Sequence, residues 1–234
     1  MLHDRATNRS SILLTGFGPF PNVATNATSL LVPRLAEAAR RSFVGMRTEF
    51  YILPTEWSAA LHLADELYRH LRPSVALHFG VSRRATGFEI ETRARNVCIP
   101  SLDAAGLMPP GDQISPGGPE YLTSTLPASH IIERLRRRGI PAMLSRDAGG
   151  YLCNAVLYRT QEIAREADKP LRSGFIHLPA TLVSERMASR GPSGACRLAW
   201  REVVEGGIEI IAACLGQPTP RRCLVGLDRR AAAR

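Results

Sequence analysis

At 234 residues, with 44% apolar and 22% charged side chains, the chain has the length of one large domain and is too apolar to be mostly disordered. No apolar run nears the ~20 residues of a spanning helix, and MLHDRATNRS has no following hydrophobic segment, so neither a membrane protein nor a secretory signal is expected. The net charge of +9 suggests an acidic partner, yet of the thirty basic residues only Lys169 is lysine and the arginines spread over the whole chain. Coding preference explains that better than a nucleic-acid surface.

The elements alternate between short β-like and helical runs, which predicts an α/β fold: a three-layer sandwich with a mostly parallel twisted sheet flanked by helices. SILLTG (11–16) is a strand, GFGPFPNVATN a turn-rich loop, and residues 27–41 a helix. MRTEFYILP is the second strand, 57–71 a helix, and SVALHFG (74–80) a third strand buried on both faces. FEIETRARNV alternates like an exposed strand, and the Pro/Gly-rich stretch through MPPGDQISPGGP reads as an excursion or flap. PEYLTSTLPASHIIERLRRRG reads as helical in two pieces interrupted by Pro127, with the arginines at 134–138 on a solvated face. IPAMLS is a strand, SRDAGG a turn, YLCNAVLYRTQEIAREADK a helix, SGFIHLP a strand and CRLAWREVVEGGIEIIAACLG a closing helix. One domain is expected over residues 1–234, with its core at about 11–216 and a basic tail at 217–234.

Five cysteines (98, 153, 196, 214 and 223), an odd number without a CxxC pair, argue against a disulfide framework and a zinc site and fit a reducing cytoplasm. The six histidines (3, 62, 70, 78, 130 and 177) lack ligand spacing, so no metal is expected, and GFGPF is neither a GxGxxG nor a P-loop. No cofactor is expected. Ligands in open α/β sheets gather at the carboxyl ends of strands. Cys153 falls just after a DAGG turn, at the start of a helix, where unpaired amides and the dipole favour a thiolate and can hold an oxyanion. His177 ends an apolar strand and suits a general base, and Glu91 can orient its ring. Position alone leaves rivals open. His78 also ends an apolar strand, Glu89 shares a face with Glu91, and Asp147 is either an acid or a turn former.

GFGPFPNVATN, SRDAGGYLCNAVLY and GFIHLP, in that order between about Ile12 and Trp200, resemble the pyroglutamyl peptidase I (pyrrolidone-carboxylate peptidase) family of cytoplasmic cysteine peptidases. The resemblance implies a thioester mechanism with Cys153 as nucleophile, His177 as general base and Glu91 as the acid. Glu91 is preferred to Glu89 because Asn96 follows it by five residues, as in the family. Phe17 and Phe20 match the aromatic residues that enclose the pyroglutamyl ring. The implied substrate is a small peptide with a blocked N-terminus, and a homodimer or homotetramer is implied as well. The chain departs from the family where Val81 stands in place of a substrate-pocket glutamine, where Arg83 and Arg84 replace small residues, and where Cys98 replaces an arginine before Ile99-Pro100. Two other readings follow: the same site acting on a different N-blocked or cyclic amide, and a non-catalytic basic binding protein.

Overall fold

Apolar residues on both faces of the strands determine how this chain layers. The computed structural model describes residues 10–20, 26–180, 182, 198–218 and 220. In chain order the elements are β1 (Ser11–Phe17), α1 (Ala27–Ser42), β2 (Arg47–Leu53), α2 (Trp57–Leu71), β3 (Val75–Ser82), β4 (Phe88–Glu91), β5 (Arg93–Arg95), β6 (Tyr121–Thr123), α3 (Ala128–Arg137), β7 (Ala142–Ser145), α4 (Leu152–Glu166), β8 (Arg172–Pro179) and α5 (Trp200–Cys214).

Six strands form one sheet in the order β2-β1-β3-β8-β4-β7, and β5 pairs with β6 in a small second sheet. β2, β1, β3 and β8 run parallel; β4 is antiparallel to β8 and carries β7 parallel to itself. The sheet is therefore mostly parallel with one reversal, at the β8–β4 seam. Alternation sends Ile12, Leu14, Leu77, Phe88, Ile90 and Ile176 to a core shared with α1, α3 and α5. Leu13, Ala76 and Phe175 point the other way, into a core with α2 and α4. This is the expected three-layer sandwich.

Local chemistry fixes the loop after β1. Asn26 caps α1 by accepting from the Thr28 amide at 3.1 Å, and the Thr28 hydroxyl oxygen accepts from the Phe17 amide at 3.0 Å. A Cβ on Gly16 would lie 2.7 Å from the Thr28 carbonyl oxygen, so only glycine lets strand and helix approach this closely.

Three expectations need correction. Residues 88–95 are not one exposed strand: β4 lies between β8 and β7 with three of its four residues buried, and Thr92 separates it from β5. The stretch before Pro127 is strand β6, paired with β5, rather than helix; Pro127 itself is the N-cap of α3, where its missing N–H leaves no gap in the helix. The arginine cluster is only partly a solvated face. Arg134 pairs with Glu209 of α5 at 2.8 Å, with side chains only 10% and 4% exposed, and Arg138 reaches the other Glu209 oxygen at 2.7 Å. These pairs clamp α3 to α5, and removing one partner would leave a buried charge uncompensated. Among the described residues no helix is long and apolar enough to cross a membrane. Most of the basic tail lies outside the described residues.

Candidate active site

The α4 helix begins where the chain leaves β7 through a tight turn. Asp147 Oδ1 accepts from the Gly149 amide at 3.1 Å, and Gly149 takes a φ of +79°, which glycine adopts freely. Asp147 is thus a turn former. No side chain caps the N-terminus of α4, so its first amides lack an internal partner. Cys153 is the second residue of this helix. The positive end of the helix favours negative charge there.

Sheet alternation supplies the other groups. Phe88 and Ile90 fill the opposite core, which turns Glu89 and Glu91 toward α4. His177 lies on this face too, one residue short of the Leu178 that packs against α1 and α5. His177 Nδ1 donates to Glu91 Oε1 at 2.8 Å, and the ring is hydrogen-bonded to Cys153. With Nδ1 engaged, the other ring nitrogen is the one that meets the sulfur. Burial alone would lower the basicity of the imidazole, but the Cys153 sulfur and then the Glu91 carboxylate outweigh it and push His177 up to about 10. The arrangement favours the imidazolium form of His177.

Gly80 makes room for this contact. It stands opposite His177 in the β3–β8 register, and a Cβ there would come 2.8 Å from the Phe175 ring and 3.0 Å from Cys153 Sγ. Two asparagines hold the surrounding chain. Asn154, next to Cys153, accepts from the Arg95 amide at 2.9 Å and donates to the Arg95 and Val97 carbonyl oxygens, fixing β5 to α4. Asn96 accepts from the Ile114 and Ser115 amides and donates to the Ser115 and Gly118 carbonyl oxygens, closing the base of the excursion. The Ile99 amide also donates to the Gly150 carbonyl oxygen at 2.8 Å. The stretch read as a flap is pinned to the face that carries Cys153. Sequence reasoning missed Gly80 and Asn154, whose partners are remote in sequence; the only signal was a polar residue inside an apolar helix pattern.

The remaining candidates separate. Glu89 is half-buried beside His177 and makes no hydrogen bond to it among the described residues, whereas Glu91 is fully buried and does. One ligand-type atom each of Glu89, Glu91 and His177 lies within 4.8 Å of the others, but His177 Nδ1 is spent on Glu91 Oε1, so this is an ion pair with an added carboxylate rather than a cage. Phe17 is buried and its ring centroid lies 6.2 Å from that of Phe175, which in turn lies 4.9 Å from the His177 ring. Phe20 is half-buried. Val81 follows Gly80 on β3, half-buried and paired with Leu178, and Arg83 and Arg84 are exposed just past the end of that strand.

His78 is not beside Cys153. Its Nδ1 is 2.7 Å from the Thr15 hydroxyl and its Nε2 is 2.8 Å from the Tyr68 hydroxyl, which also bonds Ser173 at 2.7 Å. Both ring nitrogens are committed and the residue is fully buried, so desolvation holds His78 down at about 3. A histidine forced neutral by folding stabilises above its unfolded value of ~6.5, and that stability is lost as pH falls toward the folded value. The expected slope from this one group is about 1.4 kcal/mol per pH unit across that window. Urea titrations from pH 7 to 4 should show a shallower acid loss in His78→Gln than in the native chain; equal slopes would refute this.

A family profile described as pyroglutamyl peptidase matches residues 10–215. The pyrrolidone-carboxylate peptidase of Oceanobacillus iheyensis is 33% identical over 170 residues, covering 73% of this chain and 84% of that protein. The pyrrolidone-carboxylate peptidase of Pyrococcus furiosus is 30% identical over 204 residues, covering 85% and 96%. The crystal structure of Bacillus amyloliquefaciens pyroglutamyl peptidase I superposes with a TM-score of 0.75 at 27% identity, covering 88% of this chain and 98% of that one.

Proposed function

Because the chain belongs to the pyroglutamyl peptidase family, we propose that it is a cysteine peptidase that removes pyroglutamate from the N-terminus of peptides, with Cys153, His177 and Glu91 as its catalytic residues. The observation that carries this reading is the continuous contact from the Cys153 thiol through the His177 ring to Glu91 Oε1, at the uncapped start of α4.

The chemistry follows from that contact. The Cys153 thiolate attacks the carbonyl carbon of the pyroglutamyl residue; a C–S bond forms and the carbonyl π pair moves onto oxygen. The free amides at the start of α4 are the donors for that oxyanion. As the oxyanion collapses, the C–N bond breaks and His177 gives its proton to the departing amine. The neutral ring then takes a proton from water, whose oxygen attacks the thioester; the C–S bond breaks and free pyroglutamate leaves. Glu91 holds the ring in the tautomer that keeps the second nitrogen on the sulfur side, and its charge supports each imidazolium state.

For selection of the lactam, Phe17 and Phe20 supply apolar contact to the flat ring. An unblocked peptide would have to strip water from its ammonium group against the aromatic rings, at a cost of several kcal/mol. Cys98, Cys153 and Cys214 are free thiols, which suits a reducing, cytoplasmic setting. The test is release of a fluorescent amine from its pyroglutamyl amide, blocked by iodoacetamide, with the prolyl and glutaminyl amides as controls. Hydrolysis of the prolyl amide at an equal rate would overturn the assigned specificity, and no hydrolysis of the pyroglutamyl amide would overturn the function.

A further inference from the structure

Three charged or chargeable partners surround His177, and the mechanism above uses only two of them. The third is Glu89. Its Cα stands directly opposite that of His177 in the antiparallel β4–β8 pair, and its carboxylate shares a face of β4 with Glu91. A carboxylate oxygen of each glutamate and a ring nitrogen of His177 all lie within 4.8 Å of one another. Glu91 reaches His177 with one oxygen only; its other oxygen, Oε2, is buried with no hydrogen-bond partner.

We infer that Glu89 is a positioning residue of the reaction: a second carboxylate that, with Glu91, keeps His177 in the imidazolium form opposite Cys153. The inference deepens the peptidase reading by naming a further residue of the same site. Glu89 is suited to this because it is half-buried, so its charge is neither neutralised by complete desolvation nor fully screened by water. Burial raises the Glu89 carboxyl, the His177 charge lowers it and Glu91 raises it again. Attraction between two titrating groups is mutual: an imidazolium that favours the Glu89 carboxylate is favoured by it to the same extent.

The other groups around His177 do not duplicate this role. From α4 it meets Cys153 and from β4 Glu91. β3 places Gly80 opposite it, His78 on that strand is tied to Thr15 and Tyr68, and the exposed Arg83 and Arg84 follow its end. Removing Glu89 leaves Glu91 as the sole carboxylate near the ring among the described residues.

Glu89→Gln keeps the size and the strand position while removing the charge. In the full chain, the midpoint of His177 ring titration, followed by NMR, should fall by about 0.5–1 pH unit, a loss discounted for partial exposure. The alkaline limb of kcat/KM on a pyroglutamyl amide should fall by the same amount, with KM little changed, and Glu89→Asp should restore the native profile. A His177 midpoint that stays where it is in the native chain, or rises, overturns the inference. So does a profile that Glu89→Asp shifts as far as Glu89→Gln does. The ring titration needs no substrate, so a chain that fails to cleave the amide but shows the fall would refute the peptidase reading and leave the role of Glu89 standing.

Discussion

Cys153→Ala is expected to reduce kcat/KM on a pyroglutamyl amide by about 10⁴-fold or more, since no other group in the site can form the covalent intermediate. In the proposed mechanism the thiol acts with His177 and Glu91 as one unit, so the loss should be nearly the same whether or not His177 is also replaced. The sulfur is packed against the place where a Gly80 side chain would stand, and removing it shortens a contact without inserting an atom. Folding should therefore survive, and a thermal melt checks it. A folded variant with even a tenth of the native rate would dismiss Cys153 as nucleophile.

Glu91→Gln separates activity from stability. The change keeps the shape but offers Nδ1 an amide in place of a carboxylate, so the ring can settle in the wrong tautomer and loses the charge that supports the imidazolium. A fall in kcat of about 10²–10⁴ is expected, the scale on which triad carboxylates act. Stability should change much less. In the native chain a fully buried carboxylate carries one oxygen without a partner, and such an orphan costs about 1–3 kcal/mol. The neutral amide relieves that desolvation but takes the counter-charge from a buried imidazolium, so the two effects oppose and the melting temperature should stay within a few degrees of the native one. A variant with native kcat, or one that loses both activity and several degrees of melting temperature, would show that Glu91 serves the fold and not the reaction.

Much of the layer order was legible because long periodic segments declare themselves: α2 and α4 and the apolar strands β1, β3 and β8 carry their pattern over seven or more residues. Short elements do not. Three residues of β6 contain less than two periods of any pattern, and only pairing with β5, a partner twenty-odd residues away, makes them a strand. Arg134 and Arg138 look like any basic helix face until α5 brings Glu209 against them. In the site, a period of two puts Glu89 and Glu91 on one face without ranking them, and the sequence offers His78 and His177 equally. The hydrogen bonds rank them. His78 spends both nitrogens on Thr15 and Tyr68, while His177 reaches Glu91 and Cys153. Those partners come from other strands and helices, and residue-by-residue reading has no access to them.

The position of β8 sets the order in which the molecule can assemble. It lies third from the β7 edge, between β3 and β4, although every other strand of the large sheet precedes it in the chain. A chain emerging from the ribosome must therefore hold two half-sheets apart, each with an open edge, until residues 172–179 arrive to join them. Until that insertion there is no imidazole beside the Cys153 thiol, so the proposed site forms only with the last strand. The same non-local closure should make refolding slow, on the scale of chains dominated by distant pairings rather than of helical bundles.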